Sequence, residues 1–423
     1  MTRLLWPALL VVLLGGCQFL ALDRQMKTAQ RTQILIPGQL DAQAPQQALV
    51  ALFAGDELRA YRSVQPGGLF YFSVAADDYQ LLAFEDRNGN LRLDPDEPRH
   101  WLPHPRSAPF QVQPSPEQRE ALGRLNPLRP APADATPLPA LDLSLDRLYR
   151  DLPRARHNYL QVVDFDDPRF SAQRTSQGAW QPLDFLSEVG YGLYLLEPWD
   201  EDKEPIVLVH GINSSPTVWR ELAASIDHER FQLLLFHYPS GLPLNNSAYL
   251  LSEALRDVQL RLKPERLHMF AHSMGGLVAR RTVQLLEPGG GDERLCLFLT
   301  LATPWGGHPS AATGVSRIPV DVPVWRDMSP GSSYLQALFA KPLPEHVRQW
   351  QLVSYAGNSR MIAEPNDGTV PLASELLPAA QDEAERLYLL EENHTSILAS
   401  ARSQLLLQRA LDSLPAKGCA PEE

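Results

Sequence analysis

The chain has 423 residues, too long for one ordinary core, and its 44% hydrophobic content fits two folded domains or three. Its net charge of −12 excludes nucleic acid or an anionic bilayer as a partner held by charge. Three cysteines, Cys17, Cys296 and Cys419, set out neither a disulfide framework nor a metal-type spacing.

Arg3 supplies a short positive segment, and Leu4 to Leu14 is an almost unbroken apolar run. The run is too short to span a bilayer and suits a signal-peptide core. Leu14-Gly15-Gly16-Cys17 then resembles the lipobox of bacterial lipoproteins. That resemblance implies removal of residues 1–16, acylation of Cys17, a short tether over residues 17–32 and a lipid-anchored place in the cell envelope. Gln18 replaces the aspartate that favours inner-membrane retention in enteric-type sorting. A host with two membranes would then carry the chain to the outer one. The alternative is an ordinary signal peptide with an incidental cysteine.

Over residues 33–112, apolar and polar residues alternate in short runs, among them Ala48 to Phe53, Leu69 to Val74 and Tyr79 to Phe84. With Pro66-Gly67-Gly68 as a turn, the pattern predicts a small all-β sandwich-like domain. Inside it, Asp86, Asn88, Asn90 and Asp94 fall near EF-hand spacing, with Glu97 where a bidentate ligand would come. Leu91 stands where the EF-hand needs glycine. The stretch is more similar to the D-x-N-x-N loops of exported bacterial β-sandwich domains, which implies a structural calcium. A metal-free Asn/Gly turn is the alternative. Residues 113–141 shift to proline and alanine and predict a semi-rigid linker.

Residues 142–414 change pattern again, and a polar tail follows over 415–423. Apolar runs at Ile206 to Val209, Phe231 to Phe236, Leu267 to Phe270, Leu295 to Leu301, Gln351 to Tyr355 and Leu387 to Leu390 read as buried strands. They alternate with helix-like segments, including Ala248 to Leu262 and Leu277 to Leu286, and Ser215-Pro216 reads as a helix start. Such alternation predicts an α/β fold with a doubly wound, mostly parallel sheet. Within it, Cys296 reads as a small buried hydrophobe.

Ala271-His272-Ser273-Met274-Gly275-Gly276 lies between a predicted strand and a predicted helix. A serine on so tight a turn is forced above the sheet edge, and small neighbours let the backbone pass closely. The segment resembles the G-x-S-x-G elbow of α/β-hydrolases, with Ala271 in place of the first glycine. Upstream, Ile206 to Asn213 is similar to the lipase strand that ends in His-Gly and supplies an oxyanion-hole amide. Downstream, Asn366 to Pro371 is similar to the family's Asp-Gly-x-Val loop, and Glu392 to Ile397 to its histidine turn. Ala302-Thr303-Pro304-Trp305-Gly306-Gly307 resembles the A-T-P-x-G-G segment of lipases and inositol-deacylase-like hydrolases.

The resemblance implies a Ser273, Asp367, His394 triad with the N–H groups of Ile212 and Met274 as oxyanion donors. His210, His272 and His308 are expected to pack or to orient loops. Of the competing acids, Asp321 and Asp327 precede the last strands, and Glu364 lacks the following Gly-x-Val. An apolar insertion over about residues 308–345 predicts a cap, which favours an acyl-chain substrate. The expected protein is a lipid-anchored serine ester hydrolase of lipase or esterase type, working through an acyl-enzyme with no cofactor needed for catalysis. Phospholipase, thioesterase and acyltransferase activities share the constellation. A catalytically inactive envelope-binding lipoprotein is the rival of another class.

Overall fold

The structure, a computed structural model, describes residues 5–110, 125–144, 147–148, 160–286, 294–318, 320–359, 362–415 and 417–419, with side chains from Gln18 onward. The first four residues of the expected leader, residues 113–124 of the expected linker and the last four of the tail lie outside that set.

The chain starts as helix α1 (Leu5–Thr32), which runs directly into strand β1 (Gln33–Leu40). Where a tether is expected, Leu22 and Ala29 are buried and the helix packs on the later α/β region. Their spacing puts them on one helix face, which is why the segment docks rather than hangs.

Strands β2 (Ala48–Ala54), β3 (Glu57–Val64), β4 (Leu69–Ala75), β5 (Tyr79–Phe84), β6 (Arg99–Leu102), β7 (Ala108–Pro109) and β8 (Pro127–Leu128) complete the amino-terminal β region. They form two sheets, β3-β2-β5-β6 and β4-β1-β7, with β8 added parallel to β1. All strand pairs in it except β1 with β8 are antiparallel. Strand β2 is apolar at every position because both its faces are covered. Val50 and Leu52 meet Ile36, Phe70 and Phe72 inside the sandwich, whereas Leu49, Ala51 and Phe53 join the core of the α/β region. Part of the expected linker is tied down: Asn126 and Leu128 are buried, and Ala131 bridges to Arg99.

The α/β region contributes α2 (Ala172–Trp180), α3 (Pro182–Glu188), β9 (Gly192–Leu195), β10 (Glu204–Val209), α4 (Arg220–Ala223), β11 (Phe231–His237), α5 (Leu244–Leu262) and β12 (Leu267–His272). There follow α6 (Met274–Leu286), β13 (Leu295–Leu301), α7 (Pro309–Arg317), α8 (Pro323–Met328), α9 (Ser333–Leu338) and β14 (Arg348–Ser354). The chain ends with α10 (Leu372–Glu375), α11 (Pro378–Glu383), β15 (Arg386–Leu390) and α12 (Ala401–Asp412). The sheet order is β15-β14-β13-β12-β10-β11-β9, parallel throughout except for the edge strand β9.

Every strand that the sequence predicts here is present. The inner strands are buried because helices cover both faces: along β10, Val207 and Val209 face α5 and α6, while Ile206 and Leu208 face Trp219 and α12. Ser215 precedes a short 3₁₀ turn with Pro216 first, but its hydroxyl donates to the Phe170 carbonyl (3.1 Å) rather than capping.

Two regions share one interface. Tyr61 donates to Asp257 (2.6 Å), Arg261 donates to both, and Tyr71 stacks on Tyr249 at 4.4 Å. Cys296 is not a free buried hydrophobe, because it is disulfide-bonded to Cys419, 123 positions later. The chain after α12 folds back against β13 and brings the two together, which no local pattern announces.

Candidate active site

Strand β12 ends at His272, and α6 begins at Met274, so Ser273 alone makes the turn. It does so at φ 57°, a left-handed conformation that costs a non-glycine residue about 1–3 kcal/mol and recurs at functional sites. The crowding explains the small neighbours. A Cβ on Gly275 would meet the His210 carbonyl at 2.6 Å, and one on Gly211 would sit 2.9 Å from Ser273 Cβ. Ile212 follows Gly211 and Met274 follows Ser273, so both backbones flank the hydroxyl.

The other two residues come from loops at the same edge of the sheet. Asp367 follows β14 and His394 follows β15, and the His394 N–H donates to the Asp367 carbonyl (2.9 Å). Asn393 accepts the N–H groups of Thr395 and Ser396, which fixes the histidine turn. His394 Nε2 lies 2.9 Å from Ser273 Oγ, and its Nδ1 lies 2.5 Å from Asp367 Oδ2. The structure thus brings together the serine, acid and histidine that the sequence singles out. Ser273 is 6% exposed, so solvent reaches it only narrowly.

Asp367 has every lone pair used. Oδ1 accepts the N–H groups of Thr369 and Val370, and Oδ2 also accepts Ser354 Oγ (2.9 Å). Burial alone would raise this carboxyl. The hydrogen bond and charge of His394, with those two amides, outweigh burial and hold it below the usual carboxylate range. Beyond Ser354 lies Glu375, a buried carboxyl that sequence reading passes over. Burial, with the charge of Asp367 behind it, pushes Glu375 well above its ordinary value.

The remaining histidines hold loops. His272 Nε2 donates to the His394 carbonyl (2.7 Å), and burial followed by the charge of His394 lowers its pKa to about 3. His210 donates to the Gly211 carbonyl (2.9 Å) and stacks on Tyr238, with a pKa lowered by burial to about 4. His308 Nε2 donates to the Thr369 carbonyl beside Asp367. Of the competing acids, Glu364 is exposed, Asp321 pairs with Arg326, and buried Asp327 accepts the Leu244 N–H. None of these acids has a hydrogen bond to His394.

The insertion between β13 and β14 folds as α7, α8 and α9 against helix α6. Tyr334 donates to the Leu277 carbonyl (2.9 Å), and Arg280 binds the Leu338 carbonyl and Glu383 while lying over the Phe339 ring. Val322, Val324, Met328 and Leu335 give it an apolar interior continuous with α6.

The loop from Asp86 to Glu97 is held by hydrogen bonds among its own side chains and amides. Asp86 accepts the N–H groups of Asn90 and Leu91, and Glu97 accepts those of Arg87 and Asp94. Asn88 and Asn90 both donate to Asp94, and the Lys263 ammonium stands against Gly89. Among the described residues, no group of three or more His, Cys, Asp or Glu side chains is arranged to hold a metal ion. Each oxygen of Asp86 and of Glu97 accepts one of the loop's own amides.

A family model described as the alpha/beta hydrolase fold matches residues 204–295. No curated protein matches the chain by sequence. Among solved structures, the chain is similar to the mature lipase BlEst2 of Bacillus licheniformis, at 16% identity and TM-score 0.41, over 52% of this chain and 96% of that one. It is also similar to phospholipase PlaB of Legionella pneumophila (16% identity, TM-score 0.39, 49% and 59% covered). A third is an esterase of Pyrococcus furiosus (14% identity, TM-score 0.37, 53% and 87% covered).

Proposed function

We propose that the chain, whose residues 204–295 match the alpha/beta hydrolase fold, is a serine ester hydrolase of lipase or esterase type, exported and held to the cell envelope through acylated Cys17. The observation that carries the catalytic half is the unbroken path from Ser273 Oγ through His394 (2.9 Å) to Asp367 (2.5 Å). In that geometry His394 Nε2 takes the hydroxyl proton as Oγ attacks the acyl carbonyl, and Asp367 fixes the imidazole tautomer through Nδ1.

The carbonyl oxygen becomes an oxyanion, which the N–H groups of Ile212 and Met274 would receive. Each such donor is worth about 2.7–4 kcal/mol in hydrolases where it has been removed. Collapse breaks the ester C–O bond, His394 returns the proton to the leaving alcohol, and the acyl group stays on Ser273. Water then repeats the cycle in reverse and frees the acid. No step draws on a metal or cofactor.

The Cys296–Cys419 disulfide supports export, because such bonds persist in oxidising compartments. Hydrolysis of p-nitrophenyl esters tests the reading. Ser273→Ala and His394→Ala should abolish it with melting temperature retained, and a Ser273→Ala protein of undiminished activity would overturn it.

A further inference from the structure

Helix α1 is fastened from Phe19 to Ala29. Phe19, Leu22, Met26 and Ala29 recur on one face, and Gln25 accepts the N–H of Leu183 at the start of α3 (3.2 Å). At the end nearest Cys17, the Phe19 ring stands edge-on to Trp180 at 5.2 Å and to Trp325 at 5.5 Å, and the two indoles are 6.0 Å apart. Two residues past Cys17, the chain is therefore pinned between the last residue of α2 and helix α8 of the insertion.

Both partners lead to the active serine. The Gly178 carbonyl just before Trp180 accepts the Gly241 N–H (3.0 Å), and neighbouring Ser240 accepts the N–H of Asn213, which follows Ile212. On the other side, Met328 closes α8 and accepts the His308 N–H (2.7 Å), and His308 holds the acid loop at Thr369. Two large apolar side chains flank this cluster and face outward. Leu20, next to Phe19, is 63% exposed. Val315, next to the glycine that packs on the Trp325 ring, is 42% exposed. Other exposed apolar side chains lie elsewhere on the chain, but these two belong to the segments that the aromatic pin holds, and Leu20 is three residues from Cys17.

We propose that α1 is a rigid foot that seats the Leu20 and Val315 face on the bilayer holding the Cys17 acyl chains, so that Ser273 draws its ester from that same bilayer. The substrate class is then an acyl ester resident in a membrane, rather than one dissolved in water. This inference rests on the lipid-anchor and hydrolase readings above. The seat is apolar, which suits a chain of net charge −12 that gains nothing from anionic headgroups.

The test uses full-length acylated protein in phosphatidylcholine vesicles, with 4-methylumbelliferyl oleate dissolved in the bilayer and 4-methylumbelliferyl butyrate in the water. The variants are Leu20→Asp, Val315→Asp and a flexible Gly/Ser segment inserted between Gln18 and Phe19. Leu405→Asp is the control, an exposed leucine on α12, which packs on the opposite face of the sheet. All four should cleave the butyrate as the parent does, and the first three should lose oleate cleavage several-fold while the control keeps it. Oleate cleavage unchanged in Leu20→Asp and Val315→Asp would overturn the proposal, as would a parent that cleaves butyrate but not oleate. Intact mass separates the failures: a Cys17 without acyl chains refutes the anchor, whereas an acylated chain inert on both esters refutes the hydrolase reading.

Discussion

Glu375 and Asp367 meet on one serine: Ser354 Oγ donates to Asp367 Oδ2 at 2.9 Å and lies 3.5 Å from Glu375 Oε1, while Glu375 Oε2 accepts the Ser354 N–H at 3.1 Å. Two buried carboxyls this close cannot both ionise cheaply. His394 holds Asp367 below the usual carboxylate range, and burial with the charge of Asp367 pushes Glu375 well above its ordinary value.

Glu375→Gln should therefore be mild, since the amide reproduces a protonated carboxyl. The expected loss in kcat/KM is less than about tenfold, or about 1.4 kcal/mol, with the acid limb of the pH–rate profile unmoved. A downward shift of that limb in Glu375→Gln would mean that the native glutamate is charged. Glu375→Leu, which removes the acceptor for the Ser354 N–H, should cost more than the glutamine variant.

Asp367→Asn should lower kcat by about 10⁴-fold, the scale seen when a triad aspartate gives way to an amide and the wrong histidine tautomer is held. Glu364→Gln should leave the rate unchanged, because Glu364 is exposed. Steady-state kinetics on one soluble ester decides between the two acids. A larger loss in Glu364→Gln would contradict the assignment of Asp367.

Much of this site is legible in the sequence because a parallel sheet simplifies it. Strands β10 to β15 are rich in apolar residues, and Ser273, Asp367 and His394 each follow one of them, so chain order alone puts them at one edge. The rest depends on distant chain segments meeting. Glu375 is a lone acid in a four-residue helix, and only the fold brings it to Ser354. Strand β9 is four residues long and antiparallel, too short to stand out. Helix α1 shows apolar periodicity, but nothing in those residues says which surface receives Phe19. The two cysteines of the disulfide are joined by the return of the chain after α12, across 123 positions.

The disulfide closes a loop of that size, and its loss should cost about 2–5 kcal/mol. Thermal melting with and without reductant measures it. The parent should melt lower when reduced, and Cys296→Ser should melt low and ignore reductant. A parent indifferent to reductant would show that the bond contributes nothing.

Acid should destabilise the protein before it inactivates the triad's aspartate. Burial holds His210 to a pKa of about 4 and His272 to about 3, and lowers His237 well below its ordinary value. In the unfolded chain all three would charge below about pH 6.5. The unfolded state thus binds more protons between about pH 6.5 and 4, so stability rises with pH across that window and falls on acidification. Glu375 and Glu97, both raised by burial, work in the opposite sense, but buried His268 is lowered too and makes four histidines against two carboxyls. The melting temperature should drop as pH goes from 7 to 4, less steeply in His272→Gln. A melting temperature that rises on acidification would contradict this balance.

The central claim is that Ser273 is a nucleophile activated by His394. Incubation with a fluorophosphonate followed by peptide mass mapping tests it most directly. The account predicts one adduct, on Ser273, that disappears in Ser273→Ala and forms far more slowly in His394→Ala. No adduct on the native protein, or an adduct on another serine that persists in Ser273→Ala, would contradict it.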